Sequence, residues 1–390
     1  MSKNTNLRKY FPMIKEREQI QTEIESNHKL ASFFYEWKKN ERKEFLDFCS
    51  GVKGVKILYD SFFKEIMNPE YAPERLNDLL SNLIGQKVKI ISVLPNDSTR
   101  IADEHSLLIM DILVKLEDGS LANCEAQKLG YMFGGQRAAC YSSDLLLRQY
   151  RRIRGERNEN KEKFSYKDIK SVYTIIFFEK SPIEIQNFAK TQGLSTKIKN
   201  CKNNSIAYIH RFKQKSDTGL EMNFLQEYIL ISLDIFKEIR QNKSINNKTE
   251  AWLTFFGTDE PEKIVELITT YPEFKKMYED IYNMCLNIEK VIGMFSKELL
   301  QLDKNTVEYM IDEMQNQISG LQNENSGLKG ENLNLKGENS NLKGENSNLK
   351  DENSNLKDTI SHKNEQLSRQ EMELQQLREQ LHFYQEKNKN

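Results

Sequence analysis

Near its C-terminus the chain runs LKGENLNLKGENSNLKGENSNLKDENSNLKD, a pattern that returns every seven residues. So strict a period leaves few outcomes besides a long helix that pairs along one seam, since a polar disordered repeat would not require it. With Leu321, Leu328, Leu335, Leu342, Leu349 and Leu356 at position d, Asn325, Asn332, Asn339, Asn346 and Asn353 fall at a. Ile311 and Ile318 precede them at a, and Ile360, Leu367, Leu374 and Leu381 continue that position. Lysines 329, 336, 343, 350 and 357 occupy e, and Glu331, Glu338, Glu345 and Glu352 occupy g. Each g glutamate can therefore reach a lysine five residues on in a parallel partner. Asparagine at a lowers stability but specifies two strands and their register. Gly330, Gly337 and Gly344 sit at outward f positions and cost about 1 kcal/mol each against alanine. The expectation is a parallel homodimer through a coiled coil roughly 100 Å long.

The remaining residues have apolar mass enough for a sizeable core, with 20 Phe and 16 Tyr in a chain of 390 residues. The 57 basic and 58 acidic residues nearly cancel, so affinity for a polyanion has to come from a local patch. Cys49, Cys124, Cys140, Cys201 and Cys285 show no CxxC or Cys/His spacing. That pattern argues against a zinc site and a disulfide framework and fits a reducing compartment. No stretch approaches the roughly 18 apolar residues of a membrane span, and MSKNTNLRKYFPMIKERE lacks a secretory apolar core. A soluble, cytoplasmic protein is expected.

Periodicity organises the front of the chain. Residues 1–42 form a charged helical extension marked by Tyr10, Phe11, Phe33, Phe34, Tyr35 and Trp37. Between 43 and 85 apolar residues recur at helical intervals around a proline-bearing loop, NPEYAP. Strands are expected at Val88–Val93, Leu107–Leu116 and Leu121–Leu129, a helix at Gln136–Arg154, and a strand at Val172–Phe178. Further strands are read at Ile206–Ile209 and Tyr228–Ile235, before a helical tail with Trp252 and Tyr271–Leu300. The order is that of an α/β fold with a mixed sheet flanked by helices.

Chemistry concentrates in LLIMDILVKLEDGSLANCEAQKLG, two apolar runs separated by Glu117, Asp118 and Gly119. A three-residue hairpin loop needs a left-handed residue where the glycine stands. That loop pairs Leu116 with Ser120 and, counting outward, sets Asp111 opposite Glu125. Two carboxylates about 5 Å apart repel by roughly 3 kcal/mol at an effective dielectric near 20, so the pair calls for a counter-ion. A divalent cation is the natural one, because Mg²⁺ takes one or two carboxylates with water and phosphate oxygens, and Mn²⁺ fits the same ligands. Such a site suits phosphodiester hydrolysis. Gln127 shares the strand face of Glu125, where its amide can orient water or a phosphate oxygen; Lys128 points to the opposite face.

Asp111, the turn LEDGS, Glu125-Ala-Gln127 and the helix GQRAACYSSDLLLRQY together resemble the PD-(D/E)xK nuclease family of transposases, the Rpn-like recombination-promoting nucleases. The D…ExQ spelling, with glutamine where most such nucleases have lysine, is similar to that family's own variant. The likeness extends through KILYDSFFKEIM, RLNDLLSNLIG and SVYTIIFFE, over about residues 50–260. It implies a restriction-endonuclease-like core within residues 43–300, followed by the coiled coil of 301–390, and Mg²⁺-dependent DNA cleavage. By that match Asp111 and Glu125 bind metal and Gln127 takes the lysine position, with Arg137 and Tyr141 nearby. An upstream helical acid often joins such sites, and Glu74 and Asp78 are both candidates.

The arginines Arg148, Arg151, Arg152, Arg154 and Arg157 suit either a phosphate backbone or a solvated helix end. His105 and His210 are read as incidental, and Tyr173, Phe177 and Phe178 as core. Two functional classes follow: an endonuclease dimerised by its tail, and a non-catalytic relative serving as a DNA-binding or scaffolding module. Strand transfer is indicated by nothing in the chain.

Overall fold

Amphipathic spacing accounts for the helices that precede the sheet. The computed structural model describes residues 6–94, 112–129, 135–191, 208–214, 216–241 and 243–387. Its first helices are α1 (Arg17–Ser26), α2 (His28–Glu36), α3 (Lys39–Cys49), α4 (Asp60–Ile66) and α5 (Pro73–Ile84). In α5, Pro73 opens the first turn, where its missing N–H costs nothing. Leu76, Leu79, Leu80 and Leu83 form the buried stripe, and Gly85 at φ +82° closes the helix with its N–H on the Ser81 carbonyl. Residues 6–42 pack into the same hydrophobic cluster: Leu7, Phe11, Ile20, Leu30, Phe34 and Trp37 are all buried in it.

Among the described residues the sheet has six strands: β1 (Ile90–Val93), β2 (Ile112–Leu116), β3 (Leu121–Leu129), β4 (Val172–Lys180), β5 (Ile209–Phe212) and β6 (Gln226–Ser232). They stand in the order β1-β2-β3-β4-β6-β5. The β1–β2, β2–β3 and β5–β6 pairs are antiparallel, whereas β3–β4 and β4–β6 are parallel. A parallel neighbour needs a crossover, and α6 (Gly135–Glu159) supplies the one between β3 and β4. The unbroken apolar run Val172–Phe178 is explained by this topology. β4 is buried on both faces from Val172 to Phe178, as a central parallel strand should be.

After the sheet come α7 (Ile183–Thr191, between β4 and β5), α8 (Leu233–Arg240), α9 (Lys248–Gly257), α10 (Pro261–Thr270), α11 (Glu273–Cys285) and α12 (Ile288–Lys387). One strand expectation is corrected at its end. Leu233–Ile235 belongs to α8, not to a strand reaching Ile235. Asp234 sits in the first turn, where a carboxylate is favoured, and accepts from the Ser181 amide at 2.9 Å. Leu233, Phe236 and Ile239 then bury at helical spacing. Of the strand expected at Ile206–Ile209, residues 206 and 207 lie outside the described residues, and β5 continues to Phe212.

The chain divides into two units, Met1–Tyr309 and Met310–Asn390. In the first, α12 buries Ile288, Val291, Ile292 and Phe295, and Phe295 meets Trp37 and Phe45 ring to ring. In the second, the helix continues through every heptad to Lys387. There the d leucines from Leu321 to Leu356 are 58–65% exposed.

Candidate active site

The β2–β3 hairpin forms as its loop requires. Gly119 adopts φ +88°, its N–H reaches the Leu116 carbonyl at 2.9 Å, and the Leu116 N–H reaches Ser120 at 2.8 Å. Asp118 closes the turn by accepting from the Ser120 amide and hydroxyl, each at 2.9 Å. The ladder then runs Lys115↔Leu121, Val114↔Ala122, Leu113↔Asn123 and Ile112↔Cys124. Asp111 lies outside the described residues, as does His105, so the ladder stops one pair short of the expected Asp111–Glu125 juxtaposition.

Alternation sorts the residues of β3 onto two faces. Leu121, Asn123, Glu125 and Gln127 share the face covered by α6, where Leu121 clusters with Leu113, Val172 and Leu145. Glu125 is 1% exposed and accepts a hydrogen bond from Asn123 Nδ2 at 3.0 Å. Its register neighbour on β4 is Ile176, so the carboxylate stands in a largely apolar part of the sheet. A carboxylate there is costly to keep charged without compensation. Gln127 is half-buried beside Phe178. Asn123 was missed in the sequence, although an asparagine inside an apolar strand is a signal of the same kind as an aspartate there. Asn123 Oδ1, Thr174 Oγ1 on the neighbouring strand, and Ser142 Oγ and Gln149 Nε2 on α6 are buried with no hydrogen-bond partner among the described residues. Two of these oxygens, on Asn123 and Thr174, belong to register neighbours across β3 and β4 on the Glu125 face. Oxygen donors of this type fit a hard divalent cation and its water.

Lys128 faces the other way. Its ammonium lies 3.7 Å from the centre of the Tyr59 ring and pairs with Glu298 of α12. The two side chains are 10% and 3% exposed. Glu298 also accepts from the Asp60 amide at 2.9 Å. Burial pulls the Lys128 ammonium below its usual range, against the pull of Glu298. Burial likewise pushes the Glu298 carboxyl up, against the pull of Lys128. Lys128 is therefore committed to anchoring α12 and is not on the face of Glu125.

Helix α6 separates the expected arginines. Gln149 Oε1 accepts the Lys170 amide at 2.5 Å just before β4, and Leu145 packs on Leu121 and Val172. The C-terminal half of α6 thus lies over the beginnings of the strands, while Glu125 is four residues along β3, about 13 Å further. Arg137, in the first turn, donates to the Tyr141 hydroxyl from Nε and Nη2 at 3.2 and 2.9 Å. Arg148 pairs with Asp144 at 2.7 Å, Arg152 lies 3.8 Å from Glu156, and Arg151 is exposed. By helix rise, Arg148 is some 16 Å beyond Arg137 along the axis.

The two upstream acids are both on α5. Asp78 accepts from Trp252 Nε1 at 2.6 Å and lies 3.5 Å from the Lys248 ammonium. Glu74 is exposed in the first turn, at a cavity of about 370 Å³ shared with Tyr71, Arg75 and Asp280. His210 is on β5, edge-on to Phe188 at 5.9 Å. Among the described residues, no group of three His, Cys, Asp or Glu side chains is placed to hold a metal ion.

A mixed sheet whose antiparallel hairpin carries a buried carboxylate and an amide on one face, under the crossover helix, is the core of a restriction-endonuclease-like nuclease. The chain belongs to the PD-(D/E)XK nuclease family transposases, whose family model matches residues 57–310. No curated protein and no solved structure matches it.

Proposed function

We propose that the chain is a divalent-metal-dependent DNA endonuclease that hydrolyses phosphodiester bonds, acts in transposition or recombination, and works as a parallel homodimer in the cytoplasm. The observation that carries the proposal is Glu125. It is an acid buried at 1% exposure on the hairpin, supported by Asn123 and followed on the same face by Gln127. By the hairpin register expected from the sequence, Asp111 would stand opposite it.

Asp111 and Glu125 would hold the cation, Mg²⁺ or Mn²⁺, which when bound supplies Lewis acidity toward a phosphate oxygen and a more acidic water. The protein supplies the rest. Asn123 fixes one Glu125 oxygen with its amide and so sets the direction of the other. Gln127 presents an amide that orients water or a phosphate oxygen, and being neutral it leaves protons where they are. Arg137, in the first turn of α6, offers a guanidinium to a DNA phosphate. Arg148, Arg151 and Arg152 lie further along the helix and would touch the backbone away from the cut.

The dimer reading rests on the tail, where the leucine seam is exposed along the whole second unit and every g glutamate has an e lysine five residues on. No described helix is long and apolar enough to cross a membrane. The thiols of Cys49, Cys140 and Cys285 are free, in keeping with a reducing compartment.

The test is plasmid cleavage by the purified chain with Mg²⁺, with Mn²⁺ and with EDTA, beside Asp111→Asn and Glu125→Gln. Metal-dependent nicking lost in both variants supports the assignment. Equal nicking by the variants refutes it, and no cleavage of any DNA form by the wild type transfers it to a DNA-binding scaffold.

A further inference from the structure

Beyond the nuclease face, α6 runs into a strongly basic stretch: from Arg148 to Lys170 nine Lys and Arg residues stand against four Asp and Glu. Three aromatic rings are interleaved with them. Tyr150 and Tyr166 stack with centroids 6.2 Å apart and planes 9° from parallel. Phe164 meets both edge-on, at 5.4 and 5.2 Å. Arg154 lies over Tyr150 at 5.7 Å and donates to its hydroxyl at 2.5 Å.

The loop that carries Tyr166 is fixed by short-range bonds. Lys161 takes a left-handed φ of +56°, which ends α6, while Glu162 N–H reaches the Arg157 carbonyl at 2.8 Å. The Ser165 amide donates to Asp168 at 3.1 Å and its hydroxyl accepts from Lys167 N–H at 3.3 Å. Arg157 pairs with Glu162 and, at 3.4 Å, with Asp168. Tyr166 is nevertheless 75% exposed. A ring held this firmly with its outer surface in water contributes little through its own burial. Arg151, next to Tyr150 in the chain, and Lys161, Lys163 and Lys167, on the loop that carries Tyr166, are all exposed.

We infer that Tyr166 and these cations form a second nucleic-acid site, a platform on which an unpaired base of single-stranded DNA stacks while its phosphates meet the lysines. Stacking on an aromatic face tolerates any base, and a basic border holds the backbone. Inside a duplex both faces of every base are covered by neighbours, so a single ring selects an end, a flap or a single strand. Tyr150 follows Gln149, whose end of α6 lies over the strand beginnings, so the platform is separate from Glu125. The inference rests on DNA being the substrate but not on cleavage.

Binding of a short fluorescein-labelled single strand, and of the same sequence as a blunt duplex, is measured by anisotropy in EDTA, where the metal-dependent reaction is silent. Tyr166→Ala is expected to weaken the single strand about 5- to 100-fold and the duplex by less than about twofold. Tyr166→Phe keeps the ring and should keep the affinity. Thermal melting checks that both variants stay folded. Unchanged single-strand affinity in Tyr166→Ala, an equal loss for the duplex, or no single-strand binding by the wild type would each overturn the inference. A chain that binds in this way but cuts nothing would fail the nuclease reading and leave the platform standing.

Discussion

Breaking the Lys128–Glu298 pair from either side should cost different amounts and respond to pH in opposite directions. Removing one partner of a buried ion pair typically costs about 3–5 kcal/mol, because the other charge stays buried. In Lys128→Met, Glu298 keeps only the Asp60 amide as a polar neighbour among its hydrogen bonds, which places the cost near the upper end. In Glu298→Gln, Lys128 still faces the Tyr59 ring at 3.7 Å, a contact worth about 2 kcal/mol when desolvated. The expected cost is about 2–3 kcal/mol. The double variant removes both charges of the pair together, and its Gln oxygen still accepts from Asp60, so it should lie within about 1–2 kcal/mol of wild type.

The pH trends follow from the directions of the shifts. Glu298 is raised above its unfolded value, so its stabilising contribution is complete below the unfolded pKa and fades as pH rises through the folded one. Without Lys128 that shift grows, and the deficit of Lys128→Met should shrink on going from neutral to about pH 5. Lys128 is depressed below its unfolded value, so its neutral form is favoured by folding. The deficit of Glu298→Gln should therefore shrink as pH rises toward about 9. Urea unfolding followed by fluorescence of the buried Trp37 and Trp252 reads the first unit. With a slope near 3 kcal/mol/M, Lys128→Met should lower the midpoint by about 1.5 M. Costs below about 1 kcal/mol in both single variants, or additive costs in the double, would refute the buried-pair argument.

Three other outcomes are expected. Asn123→Leu removes the amide that holds Glu125 and should reduce metal-dependent nicking at least about tenfold, and Asn123→Gln should not rescue it; nicking at the wild-type rate would show that the carboxylate needs no such support. Leu335→Lys with Leu349→Lys should convert a dimer into a monomer in sedimentation equilibrium, since both lie on the leucine seam; a wild-type chain that sediments as a monomer would remove the coiled-coil reading. Gly119→Ala places a side chain at φ +88° with Lys170 Cγ 3.1 Å from the new Cβ, and should cost about 1–2 kcal/mol in the same urea assay; an unchanged midpoint would contradict the need for glycine in the hairpin.

Much of the sheet was legible because its strands obey simple rules. Leu121–Leu129 alternates and is bounded by a glycine turn, Val172–Phe178 is apolar throughout because parallel neighbours bury both faces, and the loop chemistry of Asp118-Gly119 set the β2–β3 register. The end of β6 was not legible, because Ile229–Ile235 is apolar enough to read as one strand. Ser181, about fifty residues earlier, is what draws Asp234 into a helix start. The two buried polar systems divide in the same way. Glu125 was visible as an acid two residues from Gln127 in a hairpin, while the partner that tethers Lys128 is Glu298, a residue no local pattern connects to β3.

That distant partner explains why Lys128 does not supply the cation that Gln127 lacks. The two are consecutive in β3, so the pleat sends them to opposite faces, and bringing Lys128 to the Glu125 face would require a one-residue slip of the strand. Such a slip would move Asn123, Glu125 and Gln127 away from α6 together, break the four described β2–β3 pairs, and strand Glu298 at 3% exposure without its lysine. The register that buries Lys128 on α12 is thus the same register that presents Glu125 and Gln127 under α6. One strand carries the anchor and the site on alternate residues, and a change that loosens the anchor should reach the site through the backbone they share. Lys128→Met is therefore expected to lower nicking as well as stability.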